Sequence, residues 1–240
     1  VSVSPKPNPT VGFSPESNAQ LKAAIIECVK LSTDCSKGPR GPIGSWDIRA
    51  VTDMTDLFID AQATTEGKPL RRADKFNGDL SKWDVSSVTT MSDMFFVATS
   101  FNRDISKWDV SRVTDMHHMF NTATEFNGDL SKWDVSSVQN MDGMFLGATS
   151  FQGDISRWDV HSVRHMSSMF CWAKSFNGDI SKWDVSSVTN MGTMFAGATS
   201  FNGDISQWDS SSVSLITSMF DGATSFNSDM SKWHVSSLNS

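Results

Sequence analysis

The apolar positions of this chain recur with a fixed period. Between Phe101 and Glu125 they are Phe101, Ile105, Trp108, Val110, Val113, Met116, Met119, Phe120 and Ala123, and nearly the same set returns every 25 residues. Trp83, Trp108, Trp133, Trp158, Trp183, Trp208 and Trp233 mark the period, and Trp46 is an earlier member set back by 12 extra residues between Phe58 and Phe76. Twenty-five residues are too few for a four-stranded propeller blade of about 40, so the period predicts stacked coils. Phe101 and Ile105 stand four apart with Asn102, Asp104 and Ser106 between and after. That alternation predicts a short strand at Gly-Asp-Ile-Ser with its polar residues in solvent. Trp108, Val110 and Val113 then turn a corner. Met116, Met119, Phe120 and Ala123 follow at i, i+3, i+4, i+7 and predict a short helical turn. Thr90, Asn140 and Asn190 stand where an N-cap belongs, and Gly147, Gly197 and Gly222 where a left-handed residue closes a helix. No unit can bury its Trp, two Phe and two Met alone, whereas stacked neighbours can.

Two pieces precede the repeats. Residues 1–17 carry Pro5, Pro7, Pro9 and Pro15 in a polar setting and read as a linker or tether. Residues 18–40 read as a capping helix and a Cys loop. Asn18 to Lys30 places Leu21, Ala24, Ile25 and Cys28 on one helical face, fit to cover the first coil. The close pair Cys28 and Cys35 fits a disulfide formed in an oxidising compartment, against two free thiols in a cytosolic protein. Residues 41–240 are the repeats, with an insertion at 60–73. The chain opens at Val1 without a Met, which reads as a processed or trimmed form.

The pattern Phe-Asn-Gly-Asp-Ile-Ser-Lys-Trp-Asp-Val-Ser-Ser-Val, followed by Met-x-x-Met-Phe-x-Gly-Ala, resembles the BspA-like leucine-rich-repeat surface proteins. It is most similar to their 25-residue Trp-Asp-Val branch of bacteria, mycoplasmas and marine algae. The likeness runs from Gly41 to Ser240. It implies an exported or cell-surface protein acting in adhesion or protein interaction, with no catalytic residue. With the periodicity, it sets the expected fold: an α/β repeat, a right-handed leucine-rich-repeat-type solenoid of short parallel strands and short helical turns with an N-terminal capping helix.

Charge narrows the partners. Twenty Lys and Arg against 27 Asp and Glu leave a net charge of −7, the wrong sign for a nucleic-acid backbone. No apolar run approaches the roughly 20 residues of a membrane span. Asp79, Asp104, Asp129, Asp154, Asp179, Asp204 and Asp229 share one repeat position, and stacking would bring their like charges together. Three residues on stand Lys82, Lys107, Lys132, Arg157, Lys182, Gln207 and Lys232, which would make a self-neutralising surface lattice. A cation ladder for calcium and a glycan-reading face are the other readings of that column. The Asp that follows each Trp fits a corner-turning role, bonding amides two or three residues on. His117 and His118 are adjacent and would diverge on a helix, and His161 and His165 lie two coils away. None has the spacing of a zinc motif, so no metal site and no cofactor are assigned. Gly-x-Ser-x-Gly, phosphate-cradling and His-Glu-x-x-His motifs are absent, and near-identical coils supply no unique catalytic constellation.

Function should therefore lie in departures from the repeat. The insertion brings Lys68, Arg71, Arg72 and Lys75 into an acidic chain, as a binding loop or a tolerated surface one. Cys171 and Trp172 replace pairs such as Ala196-Gly197, as a protein contact, an intermolecular disulfide or local packing. At the other end, Phe226, Met230, Trp233 and His234 belong to a unit lacking its Met-x-x-Met-Phe segment. That predicts continuation of the native polypeptide or docking of this end onto another subunit. The function expected is a non-enzymatic, secreted or cell-surface module for protein interaction, adhesion or structure. The alternative is a ladder binder of calcium, glycan or ice.

Overall fold

The computed structural model describes residues 12–58 and 73–233. Its one α-helix, α1 (Asn18–Leu31), covers the segment expected to be helical. Ser17 is extended and its side chain accepts from the Gln20 amide, while Gln20 Oε1 accepts from the Glu16 amide at 2.8 Å, much as in a capping box. Leu21, Ala24, Ile25, Cys28 and Val29 are buried on one face. Cys28 is disulfide-bonded to Cys35, with Cα atoms 5.0 Å apart, which ties the helix end to the loop after it. Asn18 joins the helix to the first coil, its Nδ2 donating to the carbonyls of Asp53 and Thr55 at 3.2 and 2.9 Å.

Beyond this helix the molecule is a stack of 25-residue coils, each laid on the last so that like residues form columns. Phe76, Phe101, Phe126, Phe151, Phe176, Phe201 and Phe226 make one ladder, with ring centroids 5.9–6.1 Å apart. The Phe of each Met-Phe pair makes a second ladder. Inside each coil the two rings lie nearly parallel, for example Phe145 and Phe151 at 4.0 Å. Parallel aromatic pairs add about 0.5–1.5 kcal/mol each beyond the apolar area they bury. Ile105, Ile155, Ile180 and Ile205 form a buried column, while the adjoining Asp104, Asp154, Asp179 and Asp204 are exposed.

The strand-and-helix reading of the coil is corrected by this structure. Among the described residues there is no extended strand and no α-helix in any repeat, only the three-residue 3-10 turns Ile43–Ser45 and Ala73–Lys75, so the chain is not an α/β leucine-rich-repeat solenoid. The parallel pairing that exists is confined to single-residue bridges, Asp53 to Thr90, Asp115, Asn140, His165, Asn190 and Leu215, away from Gly-Asp-Ile-Ser. Two physical reasons account for this. At the expected strand, the Asp carboxylate takes the amide two residues on, which bends the chain. The Ile or Leu carbonyl accepts from the indole of the next coil, as Ile105 does from Trp133 Nε1 at 3.1 Å. Those groups are then committed to partners other than a strand ladder.

At the expected helix, every fourth residue is left-handed: Asp93 and Val97, His118 and Thr122, Gly143 and Gly147, Ser168 and Trp172. A helix cannot pass through such corners. Two successive turns replace it, and they divide the amides between two directions. Met116, His118, Phe120 and Thr122 donate onward to the carbonyls of Asn140, Asp142, Met144 and Leu146 at 2.6–3.0 Å. Met119, Asn121 and Ala123 donate back three residues within their own coil. Met116, Met119, Phe120 and Ala123 still point inward, which is why the spacing imitates a helix.

Candidate functional site

The two Asp columns are turn-forming. In Asp79, Asp104, Asp129, Asp154, Asp179, Asp204 and Asp229, Oδ1 accepts the amide of the Ser two residues on at 2.8–3.0 Å. These Ser hydrogen bonds hold all seven carboxyls below the usual carboxylate range, and nearby Lys or Arg charge is a smaller contribution. Among the described residues no ion pair within 4 Å joins this column to the basic one; the Lys or Arg three residues on acts on the carboxyls from further away, beside the local Asp–Ser turns. The Asp after each Trp acts in the same way, Asp84, Asp109 and Asp134 accepting from Ser86, Ser111 and Ser136 at 3.1 Å. Asp79 also lines a polar cleft with Asp34, Asn77, Lys82 and Arg103. The repeat pattern gave no sign of that cleft, because Asp34 comes from the loop after α1.

Of the insertion, Lys68, Arg71 and Arg72 lie outside the described residues, and Lys75 is exposed at the end of the short turn Ala73–Lys75. Cys171 is buried, and burial pushes its thiol pKa up, which disfavours the thiolate that intermolecular disulfide exchange would require. Its neighbour differs sharply. Trp172 is 56% exposed, whereas each of the other eight Trp side chains is buried. Trp172 holds a left-handed backbone at φ 57°, and its ring lies across Gly197 of the next coil. A Cβ at Gly197 would come within 2.6 Å of that ring, so the glycine seats the indole.

At the far end Phe226 and Met230 are half-buried and Trp233 is buried, its indole donating to Ile205; His234 lies outside the described residues. The amides of Ile216, Ser218, Phe220 and Gly222 occupy the positions that donate onward in every preceding coil. Among the described residues they have no main-chain acceptor. Asn18 fills the corresponding acceptor positions at the other end.

The histidines contradict the expectation that neighbours diverge. His118 is left-handed, φ 53°, and its ring centroid lies 3.8 Å from that of His117, beside Asp93 of the preceding coil. Burial and the His117 ring hold the His118 pKa below its ordinary value. Nothing in the sequence marked this meeting, because it depends on the left-handed corner.

Comparison with known proteins agrees with a repeat architecture. No curated protein matches the chain significantly. A family model described as "Mycoplasma protein of unknown function, DUF285" matches residues 67–171 and again 148–240, which together cover most of the chain. The match is to this family and does not single out the BspA-like leucine-rich-repeat branch. The chain belongs to the DUF285 family of repeat proteins.

Proposed function

We propose that the chain is a non-enzymatic interaction module, secreted or displayed at a cell surface, that binds a partner protein through the face carrying Trp172. The observation that carries this reading is the solvent-exposed indole of Trp172 in a stack that buries every other Trp. An aromatic ring held rigidly in solvent loses little conformational entropy on binding and brings a large apolar contact area. The scaffold supports it, because near-identical coils give a stiff surface on which a single departure is distinctive. The Cys28–Cys35 disulfide supports an oxidising location. Among the described residues no helix is long and apolar enough to cross a membrane.

Photo-crosslinking on intact source cells tests the proposal. A benzophenone amino acid at position 172 should give a discrete heavier adduct with another protein, and the same group at exposed Arg164 should not. Identical adduct patterns from both positions, or none from either, would remove Trp172 as the contact.

A further inference from the structure

We propose that Asp93, His117 and His118 form a binding site for a divalent transition-metal ion of the zinc or copper type, joining two adjacent coils. Each offers one ligand atom, and these atoms all lie within 4.8 Å of one another. Asp93 Oδ1 and His118 Nδ1 are 3.5 Å apart, long for a hydrogen bond. Two ligands on a tetrahedral zinc, each bonded at 2.0–2.1 Å, stand about 3.4 Å apart. The pair is therefore already at the spacing an ion requires.

The backbone builds this arrangement. Asp93 and His118 occupy the same left-handed corner of successive coils, at φ 54° and 53°. The Asp93 amide donates to the His117 carbonyl, and the His118 amide to that of Asp142, both at 2.8 Å, which fixes the register. Gly143 occupies the same corner one coil further on. A Cβ there would stand 2.0 Å from His118 Cδ2 and 2.5 Å from Nε2, so the ring occupies space that glycine leaves open. The site remains reachable, with the side chains of His118 and Asp93 29% and 22% exposed.

The columns show how local this chemistry is. After His118 its column continues with Gly143, Ser168, Thr193 and Ser218. The His117 column reads Ser92, His117, Asp142, Ser167, Gly192 and Thr217. Imidazoles occur in neither column outside this coil. Two imidazoles and one carboxylate suit zinc, copper or nickel, whereas calcium and magnesium take oxygen ligands. Three protein ligands leave the remaining position to water. A bound ion would clamp one coil to the next and stabilise the stack by linkage.

Calorimetric titration of the metal-stripped chain with zinc chloride at pH 7.5 tests this, alongside calcium chloride. Zinc should bind at a site that calcium does not occupy and should raise the thermal midpoint. His117→Ser with His118→Thr uses residues found elsewhere in the same columns, and should weaken that binding at least tenfold. His161→Ser, remote from the site, should leave it unchanged. Should the double variant fold poorly, imidazole nitrogen resonances in the unaltered chain decide: those of His117 and His118 should shift with zinc. Zinc binding equally tight in a folded double variant, no zinc binding by the unaltered chain, or shifts confined to other histidines would overturn the proposal.

Discussion

Trp158 Nε1 donates to the main-chain carbonyl of Leu130, 3.0 Å away in the preceding coil. The same bond links Trp83 to Ile43, Trp108 to Leu80 and Trp183 to Ile155, and it recurs to Trp233 and Ile205. Each indole thus does two things, filling the core with its ring and giving a second donor to a buried carbonyl that already accepts the amide three residues on in its own coil. Trp158→Phe keeps most of the ring and removes one of the two donors to the Leu130 carbonyl, which keeps the Trp133 amide at 3.1 Å, so the lost bond should cost about 0.5–1.5 kcal/mol. Trp158→Ala also opens a cavity and should cost about 3–5 kcal/mol. Urea unfolding of both variants against the parent checks the order.

Loss of the Cys28–Cys35 bond should act at one end. Chain-entropy arguments for so short a loop give about 2–3 kcal/mol. Because α1 packs on the first coil, reduction or Cys35→Ser should speed amide exchange in Asn18–Leu31 first and leave the coils around Trp158 protected. Exchange mass spectrometry after reduction reads this directly.

The Asp–Ser turns predict an acid limit. The seven carboxyls of the first column have folded pKa values below the unfolded value of about 3.9. Asp47, paired with Arg49, reaches about 2. An unfolded chain then binds more protons than the folded one in this range, so stability rises with pH. Their contribution is fully present above about pH 5 and is lost progressively as pH falls through 4 toward the folded pKa values. The thermal midpoint should therefore drop steeply below pH 4. Each group is exposed, so the loss is the sum of small steps.

Asn18 offers a test of how the first coil is closed. Its side chain supplies the donors for Asp53 and Thr55 that a preceding coil would have supplied. Asn18→Ala should cost about 1–2 kcal/mol for two lost hydrogen bonds. Asn18→Gln should not restore it, since the longer chain misplaces the amide. Thermal melts of both compare the loss.

Much of this was legible in sequence. The 25-residue period placed Phe101, Ile105, Trp108, Met116 and Phe120 inward and Asp104 outward, and Asn18 to Lys30 read as helix because its apolar face and cap are local. The backbone of the coil was not legible. The i, i+3, i+4 spacing of Met116, Met119 and Phe120 is met by two turns as well as by a helix. Of the two left-handed corners, glycines at 147, 197 and 222 marked the second; the deciding first one is held by Asp93, His118, Ser168, Thr193 and Ser218, with a glycine only at 143. The carbonyl of Ile105 likewise looked available to a strand, since its acceptance of the Trp133 indole is a contact 28 residues distant. The histidine site was missed for the first of these reasons. Trp172 was visible as a departure, and its exposure followed from its place in a column of glycines.

The role proposed for Trp172 lies in binding and not in the fold. Trp172→Gly places the residue found at 147, 197 and 222 into the same left-handed corner, relieving about 1 kcal/mol of backbone cost and losing about as much to chain entropy. The decisive measurement is attachment of purified Trp172→Gly and parent chains to immobilised surface proteins from source cells, with thermal midpoints recorded on the same samples. Midpoints equal within a few degrees and attachment reduced at least tenfold are expected. Undiminished attachment by a normally folded Trp172→Gly chain would contradict that role.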